Sequence, residues 1–564
     1  MAGQNERPAM SQTIDRVILN GRAITFDDRA PRAEALAIAG DKIVAVGGTA
    51  DIRALAGPGT VVFDAQGGTI LPGFIDSHVH LFGGSAELEY LNLYGIQGID
   101  PLTQAVREES ARRPDDTVVF AVSAAYDILG PGRQTTRQDL DAVLPDRPFA
   151  MFAADHHTIW ANTKALELGG ILHGGQTDSA SRITMAPDGT ATGELLEPGA
   201  YGYVLRHTRF GGRDLEGMTT GRDPDPLPGP AERARDKAVI AAGLRHCASH
   251  GITGLHNMDG NIYTAQMLSD LDGEGALLCR TEVPFHLKGY DPVDRLQEAV
   301  EMRAMFDSPR LWSRRVKMFL DGVTESRTAW MLRPYPGDTR DGDPVFAEEG
   351  FAAACRAADA LGFQLATHAI GDRAIRTTLD AYAAAMAANG PRDRRHRIEH
   401  VEVLHPDDLP RFAELGVVAS MQPGHTPFGR IYTPDGMEKH LHPDQIAGTF
   451  ALRAIRDSGA RLTFSTDWPV IQVDVMDSLR AATAPIAMPA GWGDQTQTLM
   501  EALHSYTQEN AWLEFAEDRR GTLCAGFDAD IVVMDHDLEA LAPVDLPQAR
   551  AALTIMGGQV TWQA

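Results

Sequence analysis

Two histidines separated by one residue end an apolar run near the start of the chain. They are His78 and His80, in the segment Gly73-Phe74-Ile75-Asp76-Ser77-His78-Val79-His80. Alternate side chains of a β-strand share one face, so the two imidazoles would point in the same direction. Two converging imidazoles suit zinc or a similar divalent ion. The pair alone is weak evidence, but its position at the end of a β-type run favours a metal site.

Four more residues that can bind or serve a metal stand at the ends of later β-type runs. They are Lys317, His368, His400 and Asp467. A single buried histidine is more often a hydrogen-bonded core residue than a ligand, but packing alone does not explain why such residues recur at the same end of successive strands. Neutral imidazoles completed by a carboxylate make a zinc-type ligand set. The sequence therefore predicts one shared metal site.

The elements that must position these residues are β-type runs that alternate with amphipathic helical stretches, the pattern of a parallel α/β fold. The runs are Thr69–Asp76, Gly251–His256, Arg280–His286, Arg315–Leu320, Phe363–His368, His396–His400, Val417–Gln422 and Arg461–Asp467. The helical stretches include Ala231–Ser249, Asp291–Phe306, Glu348–Leu361, Asp372–Asn389 and Pro406–Glu414. Eight such units predict a TIM (β/α)8 barrel within residues 73–515, with its site at the carboxyl ends of the strands.

Both ends of the chain contain short β-type runs between turn residues. At the beginning these are Asp15–Leu19, Ala35–Ala39, Lys42–Val46 and Val61–Asp64; at the end they are Ala529–Asp535, Leu553–Met556 and Gln559–Trp562. Neither group is long enough to make a well-covered sheet alone. We therefore expect residues 1–72 and 516–564 to form one small β-sandwich domain, with two separate β-appendages as the alternative.

A long stretch interrupts the alternation of strands and helices between the first and second predicted barrel strands. It covers about residues 90–230 and holds two further β-type runs, Thr117–Val122 and Pro148–Ala153. The Gly/Pro/Asp-rich tract Gly211–Pro230 is typical of a loop. We expect this insertion to cap the barrel mouth; an independent second domain is the alternative.

Composition argues against several classes of partner. The 564 residues include 77 acidic and 51 basic ones, for a net charge of −26. Nucleic acid and anionic membranes are bound through their phosphates, so we expect neither as a partner. Cys247, Cys279, Cys355 and Cys524 form no CxxC pair, which fits a reducing compartment without disulfides or thiolate zinc sites. Met1–Ile14 lacks the apolar core of a secretory signal, and no apolar run has membrane-spanning length, so a cytoplasmic location is expected.

Over nearly its whole length the chain resembles the amidohydrolase superfamily, whose metal site is similar to the set His78/His80, Lys317, His368, His400 and Asp467. Flanking segments similar to that superfamily are Ile70–His78, Gly251–Gly254, Gly521–Leu523 with Gly526, and Ala529–Val533. Within it the chain most resembles family 3, the YtcJ-like branch, which includes N-substituted formamide deformylases. The supporting segments are His157–Asn162, Thr192–Glu197, Lys317–Gly322, Gln422–Pro423 and Ser465–Pro469.

The resemblance implies roles for the predicted site residues. His78, His80 and Asp467 would hold one ion, while His368 and His400 would hold a second ion or complete a mononuclear shell. The ion is expected to be zinc, although another divalent metal would suit the same ligands. Asp467 would also be catalytic, because it could accept a proton from metal-activated water and return it to the leaving amine.

Lys317 is the unusual member of the set, because an ammonium group repels a cation. In many superfamily members the lysine of the fourth strand is carboxylated by CO₂, and its carbamate bridges two metals. The resemblance thus implies a catalytic, N6-carboxylated Lys317. Arginine is too basic to serve this way, and a chain with 45 arginines and only six lysines has lysine here. The alternative is an unmodified cation that pairs with Asp321 or with a substrate anion.

Four further residues are candidates for substrate contact. His157 and Glu197 match the branch pattern within the insertion, Asp321 follows the fourth barrel strand, and Trp468 could form an apolar wall. A packed His157, a solvated Glu197 and a core Trp468 are the alternatives. His425 is expected to line the pocket without binding the metal.

The predicted function is hydrolysis of an amide or related C–N bond in a small molecule, of the N-substituted formamide or N-acyl type, by a homodimeric enzyme. Two alternatives remain open. A metal-activated hydroxide could also attack a lactone, an ester or a carbamate. The barrel could also be a binding scaffold without catalysis, because a fold does not determine function.

Overall fold

The computed structural model describes residues 13–154, 156–177, 181–427, 434–484 and 491–564. The expectation about a secretory signal concerns Met1–Ile14, of which the first twelve residues lie outside the described residues. Within the described part of the chain, none of the helices has both the length and the apolar character needed to cross a bilayer. The fold is α/β, with five sheets.

Two of the sheets contain only parallel strands. The first has the spatial order Leu311–Trp312, Arg280–Glu282, Ile252–Asn257, Phe74–Val79. The second has the order Phe285–His286, Arg315–Phe319, Gln364–Ala369, Arg397–His400, Val418–Met421, Leu462–Phe464. Apart from the two-residue strand Leu311–Trp312, they match the predicted series of eight, with Arg280–His286 divided into two short strands.

Backbone contacts link the first parallel strand to the segment that follows the last one. Val79 and Trp468 form a parallel bridge. The amide of Asp467 donates to the carbonyl of His78 at 2.8 Å, and the amide of His80 donates to the carbonyl of Trp468 at 2.7 Å. The carboxyl ends of the first and last strands therefore lie side by side.

Helices alternate with these strands. They are Leu81–Glu87, Pro230–Ser249, Ile262–Gly273, Leu296–Met305, Glu348–Ala360, Asp372–Asn389, Leu409–Leu415, Pro434–His440, Pro443–Ile446, Leu452–Asp457, Val475–Thr483, Leu499–Tyr506 and Gln508–Leu513. Glu348–Ala360 shows why such segments are helical and packed: Phe351, Ala354, Cys355 and Ala358 recur at helical spacing and are all buried. The predicted helix Pro406–Glu414 begins only at Leu409, and Asp291–Phe306 opens with a short 3₁₀ turn, Val293–Arg295.

Strands from both ends of the chain share one sheet. Its order is Gln559–Gln563, Ala551–Met556, Ile531–Met534, Thr69–Pro72, Arg22–Ile24, Arg32–Ala33. A second sheet has the order Lys42–Gly47, Ala35–Ala39, Arg16–Leu19, Val61–Asp64, beside the helix Thr49–Ala54. Apolar side chains from both sheets, among them Ile18, Ile38, Ile531 and Leu553, form one buried cluster. Two short 3₁₀ turns, Leu538–Ala540 and Pro543–Gln548, connect the late strands.

The predicted run Thr69–Asp76 is not one strand. It divides at Gly73, with Thr69–Pro72 in the sheet of the termini and Phe74–Val79 in a parallel sheet. A Cβ on Gly73 would lie 2.3 Å from side-chain atoms of Thr253, so only glycine allows this close approach. The prediction missed the division because both halves are buried and the residues on either side of Gly73 are apolar.

The insertion builds its own mixed sheet of six strands. Their order is Arg182–Met185, Ala191–Leu196, Thr158–Ala161, Phe149–Ala153, Val119–Ala124, Leu91–Asn92. Its helices are Ile99–Arg112, Arg137–Val143, Thr163–Leu168, Pro198–Leu205 and Arg213–Thr219. The last helix corrects the prediction that Gly211–Pro230 is all loop. It starts after Gly212, whose φ of 79° suits glycine, and it buries Leu215.

Candidate metal centre

Five of the six predicted metal-site residues stand at or just beyond the carboxyl ends of parallel strands, and Lys317 lies in the middle of Arg315–Phe319. His78 lies within Phe74–Val79 and His80 follows it, whereas Lys317, His368 and His400 lie within the strands of the second parallel sheet. Asp467 stands three residues after Leu462–Phe464. All six are buried. We call this set the rim cluster: His78, His80, Lys317, His368, His400 and Asp467.

The two early histidines meet the late aspartate. His78 Nε2 and His80 Nε2 each lie 3.3 Å from Oδ1 of Asp467. Ligand atoms of His78, His400 and Asp467 all lie within 4.8 Å of one another, a spacing that one ion could bridge. The structure thus brings together residues that are almost 390 positions apart in the sequence.

The other ring nitrogen of each early histidine is held by a carboxylate. His78 Nδ1 lies 2.7 Å from Oε2 of Glu399, and His80 Nδ1 lies 2.6 Å from Oδ1 of Asp259. A carboxylate beside Nδ1 places the proton there, so that Nε2 carries the lone pair. In its neutral form each imidazole would therefore present an Nε2 lone pair towards the Asp467 carboxylate.

His368 and His400 show the same arrangement. His368 Nδ1 lies 3.2 Å from Oδ1 of Asp321, and His400 Nδ1 lies 2.9 Å from Oε1 of Gln422. The two rings pack with their centroids 4.5 Å apart. In all four histidines Nδ1 therefore has a polar partner.

The electrostatics fit a cation rather than a purely structural cluster. His78 Nε2 and Asp467 Oδ1 are buried and have no hydrogen-bond partner among the described residues. Burial lowers the pKa of His78 to about 4, so its imidazole is neutral near pH 7. Burial opposes ionisation of Asp467, yet the surrounding histidines hold its pKa well below the ordinary value. A buried carboxylate facing imidazole lone pairs is strongly unfavourable unless a cation lies between them.

His80 differs from His78 in its titration. Burial disfavours its charged form, but the charges of Asp259 and Asp467 outweigh burial and raise its pKa to about 9. The proton on His80 Nε2 would lie between the imidazole and the Asp467 carboxylate. A bound metal ion would take the place of that proton.

Backbone strain marks two members of the rim cluster. His400 has a φ of 76° and Asp467 a φ of 63°, both in the left-handed region that non-glycine residues seldom adopt. Each such residue costs about 1–3 kcal/mol and persists where surrounding contacts enforce it. The 2.8 Å hydrogen bond from the Asp467 amide to His78 is one of those contacts.

Lys317 is fully buried, and no described residue accepts a hydrogen bond from its Nζ. The ammonium lies 4.6 Å from the centroid of Phe319, whose ring stacks on His368. Burial lowers the pKa of Lys317 to about 8. Asp321 accepts instead from the amides of Trp330, Ile370 and Gly371 at 2.8–3.1 Å, and no ion pair joins Lys317 to it.

The remaining predicted residues lie in different surroundings. His157 Nδ1 lies 3.0 Å from Glu197, and both side chains are partly exposed. Asp321 is buried behind His368. Trp468 is 2% exposed and packs against Gly84 and His246.

His425 lies closer to the rim cluster than the sequence suggests. Its Nε2 is 3.5 Å from Oδ2 of Asp467, and its Nδ1 is 3.5 Å from Glu402. Ligand atoms of His400, Glu402 and His425 form a second group within 4.8 Å of one another.

Sequence reasoning missed the residues that hold the Nδ1 atoms, namely Asp259, Glu399 and Gln422. Glu399 and Gln422 had a weak signal, because each lies on or just beyond a predicted strand that also contributes to the site. Asp259 follows the strand Ile252–Asn257 by two residues. Acidic residues after a barrel strand are the signal that could have found it.

Comparison with known proteins assigns the family. A family model described as "Amidohydrolase family" matches residues 61–562. The chain belongs to the amidohydrolase family.

Relatives of this family member match it over nearly their whole length. The N-substituted formamide deformylase of Arthrobacter pascens is 25% identical, covering 98% of this chain and 99% of the relative. The Bacillus subtilis (strain 168) protein YtcJ, named as an amidohydrolase, is 25% identical over 96% of this chain and 98% of its own. A metal-dependent hydrolase from Pyrococcus furiosus has a similar structure, with a TM-score of 0.69, 25% identity, and coverage of 94% and 99%.

Proposed function

We propose that this amidohydrolase-family protein hydrolyses an amide or other non-peptide C–N bond in a small molecule. The N-substituted formamide and N-acyl classes are the preferred candidates, because a full-length relative is named a deformylase of N-substituted formamides. The observation that carries the proposal is the convergence of His78 Nε2 and His80 Nε2 on Asp467 Oδ1, each at 3.3 Å.

The rim cluster supplies the ligands for this chemistry. His78, His80 and Asp467 would hold a divalent ion, with His368 and His400 completing the shell or holding a second ion. Zinc is the preferred ion, because an imidazole-rich set with one carboxylate suits it. When bound, such an ion lowers the pKa of water and polarises a carbonyl.

Asp467 is proposed as the group that moves the proton. Its Oδ1 faces His78 and His80, while its Oδ2 faces His400 and His425 at 3.9 and 3.5 Å. Its depressed pKa keeps it ionised and able to accept a proton from the attacking water. The same carboxyl can then return that proton to the departing amine nitrogen.

Lys317 is proposed to be carboxylated. The reaction joins the neutral amine to CO₂ with release of one proton, so a pKa lowered to about 8 favours it. The absence of a hydrogen-bond acceptor for its Nζ within the described ranges supports this reading over a structural ammonium. Native mass spectrometry would show the added mass of one CO₂; a bare amine with full metal content would refute the modification.

We infer that the two parallel sheets close into one (β/α)8 barrel. The strands Arg280–Glu282 and Phe285–His286 follow each other directly and belong to different sheets, while the Val79–Trp468 bridge joins the opposite edges. We also infer that the termini form the small β-domain and that the insertion caps the mouth. His286 Nδ1 contacts the carbonyl of Gly217, which supports that placement of the insertion.

The test combines metal analysis with a hydrolysis panel of N-formyl and N-acetyl amines. We expect about one or two equivalents of zinc per chain and turnover of at least one substrate class. His78→Ala should lose both metal and turnover, while His536→Ala, at an exposed histidine, should retain both. A wild-type protein that neither binds metal nor hydrolyses any member of the panel would refute the proposal.

A further inference from the structure

Lys288 is a second lysine beside the metal centre, and neither the ligand set nor the proton transfer uses it. It follows the short strand Phe285–His286, whose His286 pairs in register with Lys317. Its Nζ lies 5.2 Å from the centroid of Phe319, and Lys317 approaches the same ring to 4.6 Å. One aromatic ring therefore separates Lys288 from the rim cluster.

The hydrogen bonds of Lys288 leave most of its ammonium free. Nζ donates to the carbonyl of Met218 in the insertion at 2.7 Å. An ammonium group has three N–H donors, and no other acceptor for Nζ is found among the described residues. The contact with Met218 fixes the side chain at the junction of the insertion and the strand ends.

No carboxylate of the described chain forms an ion pair with Lys288. Its nearest acidic neighbour along the chain, Asp291, instead pairs with Arg222 at 2.7 Å and with Arg295 at 2.6 Å. Asp291 accepts only the backbone amide of Lys288. Burial, together with the charge of Lys317, lowers the pKa of Lys288 to about 7, against the opposing effect of Asp291, Asp259 and Glu197. Lys288 is partly buried, and a partly desolvated cation without a counter-ion would gain from pairing with an incoming anion.

We propose that Lys288 binds a carboxylate on the substrate, which makes N-acyl amino acids the preferred substrates over neutral N-acyl amines. This inference rests on the proposed function, since it names the substrate class of the same site. The Lys288 ammonium donates its free N–H groups to the carboxylate, and the Phe319 ring lies between that anchor and the reacting amide. Lys288 thus selects the substrate and takes no part in proton transfer.

The experiment compares matched substrates that differ only in charge. The zinc-loaded full-length protein is assayed with N-formylglycine, N-formyl-β-alanine and N-formyl-γ-aminobutyrate, and with N-formylethylamine, N-formylpropylamine and N-formylbutylamine. In Lys288→Met we expect kcat/KM for the best acidic substrate to fall about 10- to 100-fold, mainly through KM. The best neutral substrate should change by about threefold or less.

Two variants serve as controls. Lys288→Arg keeps the charge and should recover part of the preference for acidic substrates. Lys164→Met removes an exposed lysine in the insertion and should leave both substrate series unchanged. An equal loss on acidic and neutral substrates in Lys288→Met would overturn the proposal, because it would indicate a general structural role.

A binding measurement separates this proposal from the proposed function. N-formyl-β-alanine is titrated calorimetrically into zinc-loaded Asp467→Asn and into the double variant with Lys288→Met. Weaker binding in the double variant supports the Lys288 site even if no substrate is hydrolysed. Equal affinity in the two proteins would overturn it, whether or not the wild type has hydrolase activity.

Discussion

Two buried polar clusters share the parallel strands Arg315–Phe319 and Arg397–His400, and they balance charge in different ways. The first, called here the interior cluster, consists of His256, Glu282, Arg315, Arg397, Glu514 and Arg520. Its charges face opposite charges: Arg315 lies 2.5 Å from Glu282, and Arg520 lies 2.8 Å from Glu514. In the rim cluster, by contrast, Asp467 faces the neutral imidazole of His78, and no described residue accepts a hydrogen bond from Lys317.

The difference indicates which of the two buried clusters lacks charge partners within the described residues. Arg315 and Lys317 lie on one strand with their side chains on the same face, and the same is true of Arg397 and Glu399. Glu399 joins the two clusters, because its Oε2 accepts from Arg397 at 2.8 Å and contacts His78 Nδ1 at 2.7 Å. Ion pairs within the protein balance the charges of the interior cluster, whereas the proposed metal ion would balance the rim cluster.

The largest expected effect comes from removing the anion of the rim cluster. Asp467→Asn should lower kcat about 100- to 10,000-fold, because an amide cannot accept the proton. Much of the metal should remain, because His78, His80 and His400 are unchanged. Steady-state kinetics with metal analysis measures both. Asp407→Asn, at an exposed carboxylate, is the matched control. Turnover at the wild-type rate would remove Asp467 from proton transfer and weaken the contrast between the clusters.

Substitutions in the interior cluster should lower the free energy of unfolding rather than act directly on turnover. Arg397→Met leaves Glu399 buried without its main counter-ion, which should lower the free energy of unfolding by about 3–5 kcal/mol. Urea denaturation of the metal-free protein measures this loss independently of zinc. The control, Arg453→Met, breaks a partly exposed pair with Glu501 and should cost about 1 kcal/mol or less. Equal effects of the two variants would contradict the view that ion pairing stabilises the interior cluster.

Removal of a carboxylate that contacts a histidine Nδ1 should have an effect of intermediate size on metal affinity. Asp259→Ala removes the partner of His80 Nδ1, and loss of such a partner typically weakens metal affinity about 10- to 100-fold. Competition with a chromophoric chelator measures the zinc dissociation constant. Asp294→Ala, at an exposed aspartate, should leave it unchanged. If Asp259→Ala bound zinc as tightly as the wild type, the orientation of His80 would depend on packing alone.

The sequence predicts the rim cluster well because its signal is local. A strand alternates its faces with period two, and residues at the carboxyl ends of parallel strands share one edge. His78, His80, His368 and Asp467 could therefore be placed without knowledge of the loops. The partners of Asp259 and Gln422 could not be predicted, because they depend on which Nδ1 atom each side chain approaches across strands. Trp468 shows the same limit: its residue type suits a pocket wall, yet Gly84 leaves space that the indole fills.

The boundaries of some strands and helices were also hard to predict. The dipeptide Pro72-Gly73 is a break signal within Thr69–Asp76, but that the chain passes there from one sheet to another depends on the approach of Thr253. The helix Arg213–Thr219 was missed because glycines surround it, although only Gly217 lies inside it. The position of Lys288 was hard to predict for a similar reason, because it depends on a tertiary contact with Met218 in the insertion.

A partly exposed ion pair should have the smallest effect on the free energy of unfolding, and it serves as a reference for both buried clusters. Glu501 caps the helix Leu499–Tyr506 and pairs with Arg453, whose hydrogen bonds lower the pKa of Glu501 to about 2. A carboxyl whose pKa is lower in the folded state adds stability above its unfolded pKa and loses it as the pH falls towards the folded value. Because solvent screens this pair, Glu501→Gln should cost about 1 kcal/mol at pH 7. Urea denaturation should show the difference from wild type shrinking below about pH 4.5. A cost that stayed constant down to pH 3 would assign the effect to the helix cap rather than to charge.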